Sequence, residues 1–277
     1  VLQLIRKYPL PAYVGLAYAI TWSIALPGLL ISRGYLSGPD LHLLEPVAAF
    51  GPFVAAMLVA RACFGRSGPA GILKRLSRWR VGLGVGILSV LSPVVLLLLA
   101  LLAVALTSGL AIEPDNARLS RLMSVSGLVN LVIVGALLQA WGEEPGWRGF
   151  LLARLRERRG PLVASLALFP VWLLWHLPFF LSRPEFGLAQ WLGFSVGILS
   201  ASIWLTLIWE ASGSVLMAII WHAMVNICRG IALAVSPPLF LAMSNAVLLG
   251  AVLIVIYWFW RSRRDRRPGS SAETAAG

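Results

Sequence analysis

Long apolar runs separated by short polar stretches recur along the whole chain. They fall at about Leu10–Ile31, Pro46–Phe64, Val81–Thr107, Leu122–Trp141, Pro161–Leu181, Ala189–Trp209, Val215–Ala234 and Leu239–Trp260. Each approaches or exceeds the ~20 residues with which an α-helix crosses the ~30 Å hydrocarbon core of a bilayer. None shows the period-two alternation of a transmembrane β-barrel. The pattern predicts an all-α, polytopic membrane protein with about eight transmembrane helices. Gly65–Arg80 is different in kind. There Ile72, Leu73, Leu76 and Trp79 recur at helical spacing among Arg66, Lys74, Arg75, Arg78 and Arg80, as in an amphipathic helix lying on the membrane surface. Residues 33–45 and 112–121 read as loops, and Pro237–Pro238 breaks the chain before the last run. The expected organisation is a single helical membrane domain over 1–260 and a basic, disordered tail over 261–277.

Composition agrees: 59% of residues are hydrophobic and 12% charged, which excludes an ordinary soluble domain. The formal net charge of +12 would suggest nucleic acid in a soluble protein, but here the basic residues flank the apolar runs. With the N-terminus in the cytoplasm, only Arg33, Arg118, Arg121, Arg183 and Arg229 of the 23 Lys and Arg fall outside. The positive-inside rule thus supports eight crossings, both termini cytoplasmic, and no nucleic-acid partner. The first run has no small-residue cleavage site after it and reads as a retained span. Cys63 and Cys228 have no partner at metal-like spacing and read as small core residues. Most of the 12 tryptophans lie near run ends and read as interface anchors, with Trp175 and Trp221, each just before a histidine, in packing roles.

Three polar points break the apolar pattern. The first is Gly142-Glu143-Glu144-Pro145-Gly146-Trp147-Arg148-Gly149-Phe150, at the end of the fourth run. Carboxylates are costly near hydrocarbon. Glu144 and Arg148 are four apart and can pair on one helix face, leaving Glu143 the freer carboxylate. Pro145 and Gly146 suggest a break, with a new helix from near Trp147. The second point is His176, just before Pro178; the third is His222 with Asn226, four apart in the seventh run. Each has a bland reading: an ion pair closing a helix end, a histidine satisfied by a backbone carbonyl, a helix-packing clamp. Their coincidence suggests one site. Two chemistries suit the set. In one, a carboxylate activates water while a histidine and an amide stabilise an oxyanion. In the other, a glutamate and two histidines hold Zn²⁺, which lowers the pKa of bound water. There is no His-Glu-x-x-His, and Gly65-Arg66-Ser67-Gly68, a short serine-protease-like string, lies in the basic surface stretch and reads as a turn.

Glu143-Glu144-x-x-x-Arg148, an aromatic four before His176, and His222-x-x-x-Asn226 together resemble the three motifs of the type II CAAX prenyl protease family, the CPBP intramembrane metalloproteases, which also include bacteriocin-processing (Abi-like) enzymes. The resemblance covers about Leu128–Leu233, a catalytic core at 128–233. It implies an intramembrane endopeptidase of the cytoplasmic membrane, acting on a membrane-anchored protein or peptide, prenylated or leader-bearing, with its active site facing the cytoplasm. It implies Glu143 as the water-activating residue with His176 assisting, His222 and Asn226 as oxyanion donors, and Glu144 and Arg148 in support. If such an enzyme holds zinc, the ligands would be Glu143, His176 and His222. The family has phenylalanine where this chain has Trp172, a conservative aromatic change in a packing role. The alternatives are a non-catalytic immunity or partner-binding membrane protein and a cation or proton carrier; a carrier more often shows repeated halves, and no repeat is evident here.

Overall fold

The structure, a computed structural model, describes residues 2–39, 41, 44–107, 114–183 and 186–264. The expected tail lies outside the described residues beyond Arg264. Every regular element described is helical. In chain order they are α1 (Leu2–Lys7), α2 (Pro9–Ser32), α3 (Glu45–Phe64), α4 (Ser67–Leu76), α5 (Leu83–Thr107), α6 (Asn116–Met123), α7 (Val125–Leu155), α8 (Pro161–Trp175), α9 (Leu177–Leu181), α10 (Leu188–Ser212), α11 (Val215–Val235) and α12 (Pro237–Arg264). Among the described residues, seven helices are long and apolar enough to cross a membrane. The expected fifth crossing is divided: α8 ends at Trp175 and α9 begins at Leu177, with His176 as the joint. Pro178 occupies the first turn of α9, and its missing N–H makes it a helix starter rather than a residue a helix runs through. The protein is an all-α polytopic membrane protein.

Two local differences from the sequence pattern have simple causes. The stretch expected as a loop before the fourth run contains α6, whose N-terminus is capped by Asp115 accepting from the Arg118 N–H at 3.0 Å. The carboxylate motif does not end its helix either. The Trp147 N–H bonds the carbonyls of Glu143 and Glu144, and the chain passes Pro145 into a π-helical turn at Trp147–Leu152. A second π-helical stretch lies upstream at Asn130–Leu138. Such widenings let a helix absorb a lost bond without breaking. Glu143, Glu144 and Arg148 therefore project from the interior of one 31-residue helix.

That helix is seated by two glycines. A Cβ on Gly142 would collide with the backbone of Ala49 and Phe50, and one on Gly146 with the backbone of Pro52. The pair is four apart, so α7 presses one bare face against α3, and Glu143, Glu144 and Arg148 have to project from other faces. Gly146→Leu is expected to abolish this approach, because backbone cannot yield as a side-chain tip can. Overpacking costs about 1–3 kcal/mol even where neighbours relax, so the loss here falls at the top of that range. Thermal unfolding of the detergent-solubilised protein measures it, with Gly160→Leu, where nothing lies within 4 Å, as the control. Equal melting of the two variants would contradict the packing account.

Polar clamps hold the other helices. Ser165 Oγ donates to Thr206 Oγ1 at 2.8 Å and Ser202 Oγ to the Ser165 carbonyl at 3.0 Å, joining α8 to α10. Trp175 Nε1 donates to Thr21 Oγ1, which donates to the Ala48 carbonyl, both at 2.9 Å, tying α8 to α2 and α3. The bundle has a basic end and a poorer one. Arg156 pairs with Glu210 (2.6 Å), and the Ser214 hydroxyl bonds the Arg78 carbonyl at the first. At the second, Arg183 pairs with Glu45 (3.1 Å) and Arg33 bonds the Leu181 carbonyl. The contacts thus group the loops as the charge pattern requires.

Candidate active site

Three helices bring the three polar points together. Glu144 and Arg148, one turn apart on α7, are fully buried, and Arg148 Nη1 donates to Glu144 Oε1 at 2.8 Å. From α11, His222 Nδ1 lies 2.7 Å from that same oxygen. A carboxylate at Nδ1 makes that nitrogen the donor, so the ring's remaining function is at Nε2. Glu143 is held separately: its Oε2 accepts from Trp172 Nε1 at 2.6 Å. His176 Nδ1 lies 2.7 Å from the Trp172 carbonyl, the partner foreseen by its bland reading. Asn226 Nδ2 donates to the Gly135 carbonyl at 3.4 Å, a link between α11 and the π-helical part of α7.

Trp172 connects these groups, and the sequence pattern assigned it only a packing role. Its N–H holds Glu143, its carbonyl engages His176, and the Arg148 guanidinium stands 4.2 Å over its ring. The His222 ring meets it edge-on at 5.6 Å. The available signal was its place one turn before His176 and its indole where the family has a phenylalanine without a donor. Trp147 and Trp172 are buried core residues rather than interface anchors, and Trp175 and Trp221 are buried in keeping with their packing roles. Trp221 bonds Ser92 and stacks on Trp204.

In front of this network lies a cavity of about 180 Å³. Glu143, His176, His222 and Asn226 line it; Glu144 and Arg148 do not and stand behind it. Its walls include Trp175, Phe179, Phe180, Phe194 and Trp221. The cavity reaches Glu45, Arg183 and Arg229, toward the poorer end of the bundle. Toward the basic end α7 continues through Trp147, Phe150, Leu151 and Leu152, each at most 3% exposed. The carboxylates lie nearer the basic end along α7, but the open space is on their other side.

Among the described residues, no group of three His, Cys, Asp or Glu side chains gathers as a metal site would. Glu143, His176 and His222 line one cavity, but their donor atoms do not converge on one point in this conformation.

The fold and site together define a class: a polytopic helical membrane protein with a buried Glu–Arg–His network behind an intramembrane cavity. Residues 125–228 match the family described as Type II CAAX prenyl endopeptidase Rce1-like. The chain is also 30% identical over 131 residues to the CAAX prenyl protease 2 of Methanococcus maripaludis, a match covering 44% of this chain and 47% of that protein. Over this central region the chain is therefore similar to the type II CAAX prenyl endopeptidases. It matches about half the length of that curated relative.

Proposed function

We propose that the protein is an intramembrane endopeptidase that hydrolyses a peptide bond of a membrane-associated substrate with a glutamate-activated water. One observation carries the reading: Glu143, His176, His222 and Asn226, from three helices, line a single cavity with a largely apolar wall. A cavity of about 180 Å³ accommodates a water, whose share of liquid volume is about 30 Å³, beside a strand of peptide. Glu143 takes a proton from that water as its oxygen adds to the scissile carbonyl carbon, with His176 positioning the water. The developing oxyanion is met by the Asn226 amide and by His222 as the imidazolium, which donates through Nε2–H while Glu144 accepts from Nδ1–H and sets the ring orientation. The C–N bond then breaks and the proton passes to the leaving amine. Glu144 and Arg148 act on the reaction through His222, without touching substrate.

No step is routed through a metal, because among the described residues no three metal-binding side chains gather at one point. The test is cleavage of an acylated or otherwise membrane-tethered peptide by the full chain in vesicles. Wild type is expected to cleave it and His222→Ala to lose most of the activity, with the rate unchanged after exhaustive chelation. Chelator-sensitive activity restored by Zn²⁺ would replace the metal-free mechanism. No cleavage by wild type, with protection of cells retained, would favour a partner-binding role.

The positive-inside rule puts the basic end in the cytoplasm, so the substrate enters from the opposite end or laterally from the bilayer. A cysteine at Ser37, which is exposed at that end, in a background without Cys63 and Cys228, is expected to react with an impermeant maleimide on intact cells. A cysteine at Arg158 is expected to react only after permeabilisation. The reverse pattern would turn the cavity toward the cytoplasm.

A further inference from the structure

The basic end of the bundle holds a second space, separate from the cavity at Glu143. It lies where α4 crosses the ends of α3 and α7, and its volume is about 250 Å³. Gly68 sets the crossing. A Cβ there would collide with the Ala60 backbone, so α4 is held hard against α3 at that point. One turn on, Gly71 lines the space, and its Cβ would meet nothing within 4 Å. The helices touch at Gly68 and part by Gly71, which leaves a groove between them.

Two chemistries line this groove. Ala60, Phe64, Ile72 and Phe150 give it apolar surface, and Arg75 and Arg154 bring guanidinium groups to it from different helices. Arg75 Nη1 donates to the Gly149 carbonyl at 3.1 Å, and among the described residues Arg75 has no ion pair. Arg154 stands 4.1 Å over the Phe64 ring and pairs with the exposed Glu157 at 2.7 Å. Burial holds the Arg75 guanidinium below its ordinary pKa; the charge of Arg154 adds to this and Glu157 opposes it. The two arginines and Glu157 together leave one positive charge, and none of the described residues lining the groove is acidic.

We propose that the groove between α4 and the ends of α3 and α7 binds the phosphodiester of an anionic phospholipid in the leaflet at the basic end. A phosphodiester carries one negative charge, and its oxygens match the guanidinium fork. The place suits a lipid rather than a free anion. α3 ends at Phe64 and α7 at Leu155, so the groove lies where two spans leave the hydrocarbon. Beside it α4 and the chain that follows present Leu73 and Trp79, 45% and 66% exposed, as a helix resting on a bilayer does. The phosphate meets Arg75 and Arg154, and the glycerol and first acyl carbons meet Phe64 and Ile72. A zwitterionic headgroup fits less well, because its ammonium adds positive charge beside two arginines. The assignment stands apart from the hydrolytic reading and shares no residue with it.

The test places the full chain in phosphatidylcholine vesicles at high salt, where long-range attraction between exposed charges is screened. Association of spin-labelled phosphatidylglycerol is compared with that of spin-labelled phosphatidylcholine. At its tightest site wild type is expected to prefer phosphatidylglycerol by about tenfold, the low end for a hydrogen bond to a charged group. Arg75→Gln is expected to remove most of that preference. Lys74→Gln, which deletes the same charge from an exposed position outside the groove, is expected to keep it. Gly71→Leu fills the groove from a position whose Cβ meets no neighbour, changes no charge, and is expected to remove the preference too. It separates loss of the site from loss of the bond between Arg75 and Gly149. No preference in wild type, an equal loss in Lys74→Gln and Arg75→Gln, or a preference that survives Gly71→Leu overturns the proposal. Displacement of the lipid by an equal concentration of inorganic phosphate would make the groove a site for soluble anions and overturn it as well.

Discussion

Glu143→Gln is expected to lower the hydrolytic rate by about 10²- to 10⁴-fold, the range that a positioned general base contributes, while leaving the melting temperature near that of wild type. The amide is isosteric with the carboxylate and keeps an oxygen to accept from Trp172 Nε1, now 2.6 Å from Glu143. No ion pair is broken, because Arg148 and His222 are both engaged with Glu144. What is lost is the capacity to take a proton from water. The effect should appear in kcat, with KM little changed, since the side chain keeps its volume in the cavity wall. A variant that turns over at the wild-type rate removes Glu143 from the mechanism.

Glu144→Ala should fail in another way. Glu144 and Arg148 are both fully buried, and Arg148 Nε and Nη2 have no partner among the described residues. Removing the carboxylate leaves the guanidinium with only the Trp172 ring, 4.2 Å away. Breaking one side of a buried ion pair costs about 3–5 kcal/mol, so the variant is expected to lose much of its folded population on mild denaturation. The decisive comparison is the double variant Glu144→Leu/Arg148→Met. Replacing both charges with apolar groups should restore most of the stability. Activity should stay low, because His222 Nδ1 has lost the oxygen 2.7 Å away that orients it. A double variant no more stable than Glu144→Ala refutes the ion-pair account. Glu144→Gln as inactive as Glu143→Gln, at unchanged stability, would dissolve the division of labour between the two glutamates.

That division could be glimpsed in the chain. The i, i+4 spacing of Glu144 and Arg148 is a local property of a helix, and the pair forms as the spacing requires. The shared face of His222 and Asn226 follows from the same periodicity, and the apolar runs were legible because a bilayer imposes one length on every crossing. Other features were not local. His222 meets Glu144 across 78 residues and Trp172 meets Glu143 across 29. No periodicity encodes such contacts; they depend on how helices cross. Trp172 was read as packing because an indole in an apolar run is usually that, and its N–H matters only once a carboxylate stands opposite. The continuity of α7 through Pro145 was missed because a proline's local preference was outweighed by packing on both sides, with Gly142 and Gly146 against α3.

The opening of the cavity shows the same limit. Charge pattern along the chain distinguishes the two ends of the bundle, because most basic residues flank the spans rather than enter hydrocarbon. It says nothing about where helices part to leave space. By itself the sequence determined the all-helical membrane architecture, the approximate crossings and the polar residues to be accommodated, since burial of backbone and charge in a bilayer is decided segment by segment. Only the tertiary structure decided that Glu143 lines the cavity while Glu144 lies behind it, that Trp172 joins them, and that Arg229 shares the space beside Phe240. Those are outcomes of close packing between helices distant in sequence, where a turn of a few degrees exchanges the side chain that faces the cavity for the one that faces its neighbour.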